Sequence, residues 1–105
     1  MTTTLSTHVL DAALGVPASG LEVALATADG TPLETATTDA DGRIAWSVDL
    51  EAGFYGLRFA TGTWFADAER PTFFPIVLLA VEIGAGHTHV ALLLSPYSYT
   101  TYKGS

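Results

Sequence analysis

Leu21, Glu22, Val23, Ala24, Leu25, Ala26, Thr27, closed two residues later by Asp29 and Gly30, sets the reading of the fold. Leu21, Val23 and Leu25 alternate with Glu22 and Ala24, and a period of two is that of a strand with one buried side and one open side. The Asp-Gly pair supplies the positive-φ backbone of a tight reversal. The same pattern continues outward in both directions. Residues 6–10 read as a strand ended by a Gly15, Val16, Pro17 turn. On the other side come a thin polar strand over 33–38, an Asp41-Gly42 turn opening a strand over 43–48, and a strand over 54–60 after Gly53.

Residues 61–69, stopped by Pro71, form the single stretch with helical character, packing through Trp64 and Phe65. The most apolar window, 73–83, reads as a core segment, because it is about half the ~20 residues a membrane helix needs and carries Pro75 and Glu82. A Gly84, Ala85, Gly86 turn, a strand over 87–95, a break at Pro96 and a Tyr- and Thr-rich strand over 97–103 complete the chain. About eight short strands between turns, with one short helix, predict an all-β fold, a two-sheet β-sandwich. At 105 residues the chain has the size of one domain, 1–105.

Composition narrows the function. Hydrophobic residues make up 49% and charged residues 14%, which supports a packed core rather than disorder. With 11 acidic against 4 Lys and Arg residues and a formal charge of −7, nucleic acid and anionic membrane surfaces are excluded as expected partners. There is no cysteine, so thiolate chemistry and disulfides are excluded too. The opening residues carry no basic region and no apolar stretch of signal length, which predicts a cytoplasmic protein. A small globule buries only about 60 to 70% of its unfolded surface, so this much apolar side chain also predicts a contact with another subunit.

Candidates for chemistry can be counted: three histidines, His8, His87 and His89, and four cations, Arg43, Arg58, Arg70 and Lys103. On a strand His87 and His89 share one face with Ala91 and Leu93, while Thr88, Val90, Leu92 and Leu94 line the other. Two imidazoles so spaced can begin a zinc or copper site, and a zinc-dependent hydrolase built on them needs a distant carboxylate as third ligand; a polar sheet face is the plainer reading. His8 falls in line with Leu10 and opposite Val9, the position of an ordinary hydrogen-bonded strand histidine. Arg43 follows a turn, where a solvated arginine is usual. The Asp39, Ala40, Asp41, Gly42 run is not a calcium loop, since the twelfth position, which takes a glutamate, falls on Val48. No phosphate loop or nucleophile elbow occurs. The tail, Tyr102, Lys103, Gly104, Ser105, keeps strand character where polar fraying is usual, and so reads as docked.

Three separated segments resemble one family, the 5-hydroxyisourate hydrolases related to transthyretin. Ser6, Thr7, His8, Val9, Leu10, Asp11 with Gly15, Pro17, Ala18 and Gly20 resembles the family's opening Ser-Thr-His-Val-Leu-Asp and its Gly-x-Pro-Ala turn. Asp41, Gly42, Arg43 resembles the Gly-Arg strand start. His87, Thr88, His89, then Leu92 to Tyr97 and the closing Tyr102, Lys103, Gly104, Ser105, follows His-x-His-x-Pro-Leu-Leu-x-Ser-Pro and Tyr-Arg-Gly-Ser. Phe73, Phe74, Pro75 fits as well. The resemblance spans essentially the whole chain.

It implies the transthyretin-like sandwich, a homotetramer built as a dimer of dimers with active sites at the subunit interface, and no cofactor or metal. By position it implies a catalytic set of His8, Arg43, His89 and Ser105, with Tyr102 and Lys103 joining His8 and Arg43 in holding substrate. The implied reaction is hydrolysis of 5-hydroxyisourate to 2-oxo-4-hydroxy-4-carboxy-5-ureidoimidazoline in urate breakdown. Histidine suits removal of a proton from water near neutrality, and arginine offers forked donors to a developing oxyanion; which histidine is the base stays open. His87 is expected to support the sheet rather than react. The chain departs from the family at Lys103, which keeps the charge of the usual arginine without its planar fork, at Ala91 for proline and at Ile76 for glutamate. A non-catalytic carrier holding a flat aromatic ligand in the oligomer channel is the alternative, and there His8 and Arg43 would be costly to desolvate.

Overall fold

The alternation seen in the sequence becomes a two-sided ladder. In the computed structural model, which describes residues 2–105, β1 (Thr3–Asp11) buries Leu5, Thr7, Val9 and Asp11 and turns Thr4, Ser6, His8 and Leu10 outward. The remaining elements are β2 (Val16–Pro17), β3 (Glu22–Thr27), β4 (Pro32–Thr37), β5 (Arg43–Ala45), β6 (Gly53–Phe59), α1 (Thr61–Asp67), β7 (Val77–Ile83), β8 (Gly86–Ser95) and β9 (Ser98–Gly104). One sheet runs β2-β1-β8-β9 with β5 also paired to β1, and the other runs β4-β3-β6-β7. Among the described residues there are nine strands, one more than expected, because Val16–Pro17, read in the sequence as part of a turn, pairs with β1 as β2.

β1 and β8 are parallel, in register from Thr3 opposite Gly86 to Asp11 opposite Leu94, and every other pairing is antiparallel. The core lies between the sheets, where Val9, Leu25, Phe59 and Leu92 are sealed from solvent. Each such side chain contributes about 1.5–3 kcal/mol by leaving water.

α1 docks through the buried Phe65, and Trp64 donates its indole N–H to the Ser19 carbonyl at 2.8 Å. It ends where Glu69 takes a left-handed conformation, φ 56°, which returns the Arg70 N–H to the Phe65 carbonyl at 2.9 Å. The Arg70 guanidinium then lies 4.9 Å from the Phe65 ring centre and reaches the buried Asp11 carboxylate at 2.6 Å. Helix and first strand are stapled together by that pair.

Two segments differ from the sequence reading. The strand expected over 43–48 stops at Ala45, because the Glu34 carboxylate takes the N–H groups of Ser47 at 3.0 Å and Val48 at 2.9 Å. The 73–83 stretch is not one core segment: only Val77–Ile83 pairs, and as an edge strand it leaves Leu78, Ala80 and Glu82 exposed. Phe73 is 72% exposed and is tied instead by its N–H to the Pro96 carbonyl at 2.8 Å. Among the described residues no helix is long and apolar enough to cross a membrane.

Candidate active site

The outer face of the first sheet gathers the scarce titratable residues. Parallel pairing sets Thr4 opposite His87 and Ser6 opposite His89, β5 brings Arg43 opposite His8, and β9 brings Tyr102 opposite Ala91 and Gly104 opposite His89. Since alternate side chains point the same way, these groups share one surface. Ser6, Arg43, His87, His89, Tyr102, Gly104 and Ser105 line a cavity of about 460 Å³, open to solvent. His8 stands beside it, its ring centre 6.2 Å from that of His89 with the planes 46° apart. Lys103 is opposite core-facing Val90, so alternation puts it on the other face of β9 from Tyr102.

Hydrogen bonds fix part of the chemistry. His8 Nε2 is 2.9 Å from the Asp41 carbonyl, which can only accept, so Nε2 carries a proton and Nδ1 is left for exchange. That carbonyl sits in a turn closed by Asp39, whose Oδ1 accepts the N–H groups of Asp41 and Arg43, each at 2.9 Å. The Arg43 N–H, ahead of burial and the Asp41 N–H, governs the Asp39 carboxyl, and the balance holds it below the usual carboxylate value. Gly42 at φ 77° is required here, because a Cβ would come 2.3 Å from the Val9 carbonyl oxygen.

His89 is half-buried, and its Nδ1 is 2.6 Å from the Ser6 hydroxyl. Burial first, then the positive charge of Arg43 and those His8 and His87 can carry, lowers its pKa below the ordinary imidazole value. Its Nε2 has no hydrogen-bond partner among the described residues. Among those residues the one salt bridge joins Arg70 to Asp11, so the Arg43 guanidinium has no carboxylate partner. A neutral imidazole with a free nitrogen, a second imidazole and an unneutralised arginine meet at one opening. Such a set can take a proton from water and hold an anion.

A model of the HIUase/transthyretin family matches residues 5–104. The chain belongs to that family. Over 112 residues it is 43% identical to the probable 5-hydroxyisourate hydrolase of Schizosaccharomyces pombe, a match covering 96% of this chain and 90% of that protein. The structure of Klebsiella pneumoniae 5-hydroxyisourate hydrolase superposes with a TM-score of 0.90 at 42% identity, covering 97% of this chain and 99% of that one. Sea bream transthyretin in complex with thyroxine superposes at 0.87 with 33% identity, covering 95% and 93%.

In this member of the HIUase/transthyretin family a second, larger depression of about 740 Å³ lies on the opposite sheet. Ala24, Gly56 and Ala80 floor it, Arg58 and Glu82 are its charged residues, and it has no histidine. It is roomy and chemically plain, so the smaller cavity is the candidate site. A zinc site on His87 and His89 would need a third ligand, and among the described residues no group of three potential ligands comes together. Sequence reading missed Thr4, Ser6 and Gly104 as parts of this surface. Their signal was weak: Ser6 shares the period of His8, but only the parallel β1–β8 pairing brings it beside His89.

Proposed function

We propose that this chain is a single-domain hydrolase of 5-hydroxyisourate, forming 2-oxo-4-hydroxy-4-carboxy-5-ureidoimidazoline in urate breakdown by acid–base catalysis without a metal. One observation carries the reading: His89, its neutral form favoured and Nε2 free, lines the same cavity as the unpaired Arg43 with His8 beside them. His89 removes a proton from the attacking water. Arg43 holds the anionic substrate and the oxyanion that forms as water adds. His8, steadied by the Asp41 carbonyl, shares the proton traffic through Nδ1. Tyr102 and Ser105 contact substrate at the rim, and Lys103 adds positive field from the far face of β9.

The cavity of one chain is open, and Tyr97, Tyr99 and Tyr102 leave aromatic surface exposed on and just before β9. In the proposed homotetramer, a dimer of dimers, a neighbouring chain closes each site. The carrier reading is disfavoured by the same residues, because an apolar ligand on this face would strip water from three imidazoles and a guanidinium.

The test is the ultraviolet decay of freshly generated 5-hydroxyisourate with wild-type protein and with His8→Ala, His89→Ala and Arg43→Ala. Acceleration by the wild type that falls about 10²- to 10⁴-fold in the histidine variants supports the reading. Unchanged decay with folded wild-type protein overturns it and favours the carrier.

A further inference from the structure

β1 and β8 interleave hydroxyls and imidazoles in an unbroken row. Thr4 Oγ1 is 2.7 Å from His87 Nδ1, His87 Nε2 is 2.8 Å from Ser6 Oγ, and Ser6 Oγ is 2.6 Å from His89 Nδ1. The parallel register produces it, because each hydroxyl of β1 stands directly beside an imidazole of β8.

The Ser6 hydroxyl has one proton to donate, so it can donate to only one of its two imidazole neighbours and must accept from the other. If it donates to His89 Nδ1, then His87 brings a proton on Nε2, accepts one from Thr4 on Nδ1, and His89 carries its own proton on Nε2. If it donates to His87 Nε2, then His89 brings a proton on Nδ1, and its Nε2 is a bare lone pair. For neutral rings these are the two polarities of the row, and the second makes His89 a base toward the cavity. His87 is exposed at the outer end, while His89 is half-buried near Arg43.

We propose that Ser6 and His87 are positioning residues for the hydrolysis, tying the protonation of the cavity-facing nitrogen of His89 to that of His87 through the hydrogen-bonded row Thr4, His87, Ser6, His89. The catalytic half of this statement rests on the hydrolase reading. As Nε2 of His89 takes a proton from water, Nδ1 gives its proton to Ser6, and Ser6 passes its own to His87 Nε2. One proton enters the row, His89 ends neutral, and the positive charge ends on His87, farther from Arg43 and open to water.

The experiment uses full-length protein labelled with ¹⁵N-histidine. Long-range proton–nitrogen spectra report which ring nitrogens of His87 and His89 are protonated, and 5-hydroxyisourate turnover is measured on the same samples. Ser6→Ala is expected to change the nitrogen pattern of both histidines and to lower kcat about 10- to 100-fold with KM unchanged, the same scale as losing the outer hydrogen-bond partner of a metal-ligating histidine. Ser6→Thr, which restores the hydroxyl, recovers both. His87→Gln keeps an acceptor for the Ser6 hydroxyl but cannot hold a transferred proton, and it is expected to lose kcat like Ser6→Ala. A Ser6→Ala protein whose His87 spectrum and kcat both match the wild type overturns the proposal, and so does full turnover in His87→Gln. Wild-type protein without turnover overturns the hydrolase reading, and the spectra then still decide whether the two histidines are tied.

Discussion

Gly104 lies flat against the ring of His89: a Cβ added to Gly104 would stand 2.6 Å from Cδ2 of that imidazole and 3.3 Å from its Cβ and Cγ. The close approach explains a glycine as the last residue of β9, where no positive φ calls for one. Gly104→Ala therefore has to push the imidazole out of its place. A reacting group displaced by about 1 Å loses turnover on the order of 10²-fold. Steady-state decay of 5-hydroxyisourate checks this, and because β9 is an edge strand, thermal melting should move little.

The acid limb of the pH–rate profile is expected below 6.5, the ordinary imidazole value, since burial and then the positive charge around His89 oppose its protonation. Arg43→Gln removes one of those charges and should move the limb up toward 6.5 while it lowers the rate. The sign for stability follows. The unfolded chain binds the proton more readily than the folded one, so the contribution from neutral His89 is present above 6.5 and is lost as pH falls through the lowered value. Profiles of kcat/KM against pH for both proteins test the shift.

Asp11 and Arg70 form the second testable pair. Burial alone would raise the Asp11 pKa, but the Arg70 hydrogen bond, the N–H groups of Leu14 and Ala13 and the Arg70 charge outweigh it and hold the value below 3.8. Arg70→Ala strips a nearly fully buried carboxylate of its partner and is expected to cost about 3–5 kcal/mol in chemical denaturation. With its pKa depressed on folding, Asp11 contributes stability above 3.8 that disappears as pH falls through the lowered value. The wild-type protein should show that acid loss, and the Arg70→Ala protein should show less of it.

Inside the sandwich, the Trp46 indole N–H donates to the fully buried Thr7 hydroxyl at 2.9 Å. Thr7→Val keeps the shape and orphans the indole nitrogen. The expected cost is about 1–3 kcal/mol, read from the denaturation midpoint with the slope unchanged.

Chelation separates acid–base from zinc chemistry. Dialysis against EDTA is expected to leave turnover unchanged, and a loss restored by added zinc would return attention to His87 and His89.

Much of this was legible in the alternation. The opposite faces of His8 and Val9 on the first strand, the common face of His87 and His89, and the helix near 61–69 packed through Phe65 all appear as the sequence pattern requires. What stayed hidden depends on contacts distant in the chain. Nothing around residues 43–48 announces that Glu34 will take the backbone donors of Ser47 and Val48 and end β5 early. The apolar run of 73–83 looks like core until it is known to form an edge, where every second residue meets water. The candidate site is the strongest case: His8, His89 and Arg43 were visible as types, but the neighbours that tune His89 come together only through the pairing of β1 with both β8 and β5.

That pairing also constrains how the protein can be made. Thr4 and His87 are separated by 83 residues, and the strands that carry them contact each other directly. β1 leaving the ribosome must therefore wait, its β8 edge unmet, until the residues between the two strands have been synthesised. Such long-range closure slows folding and leaves an early strand open to wrong partners. The first sheet and the candidate site it carries are thus completed together, once β8 has followed β1.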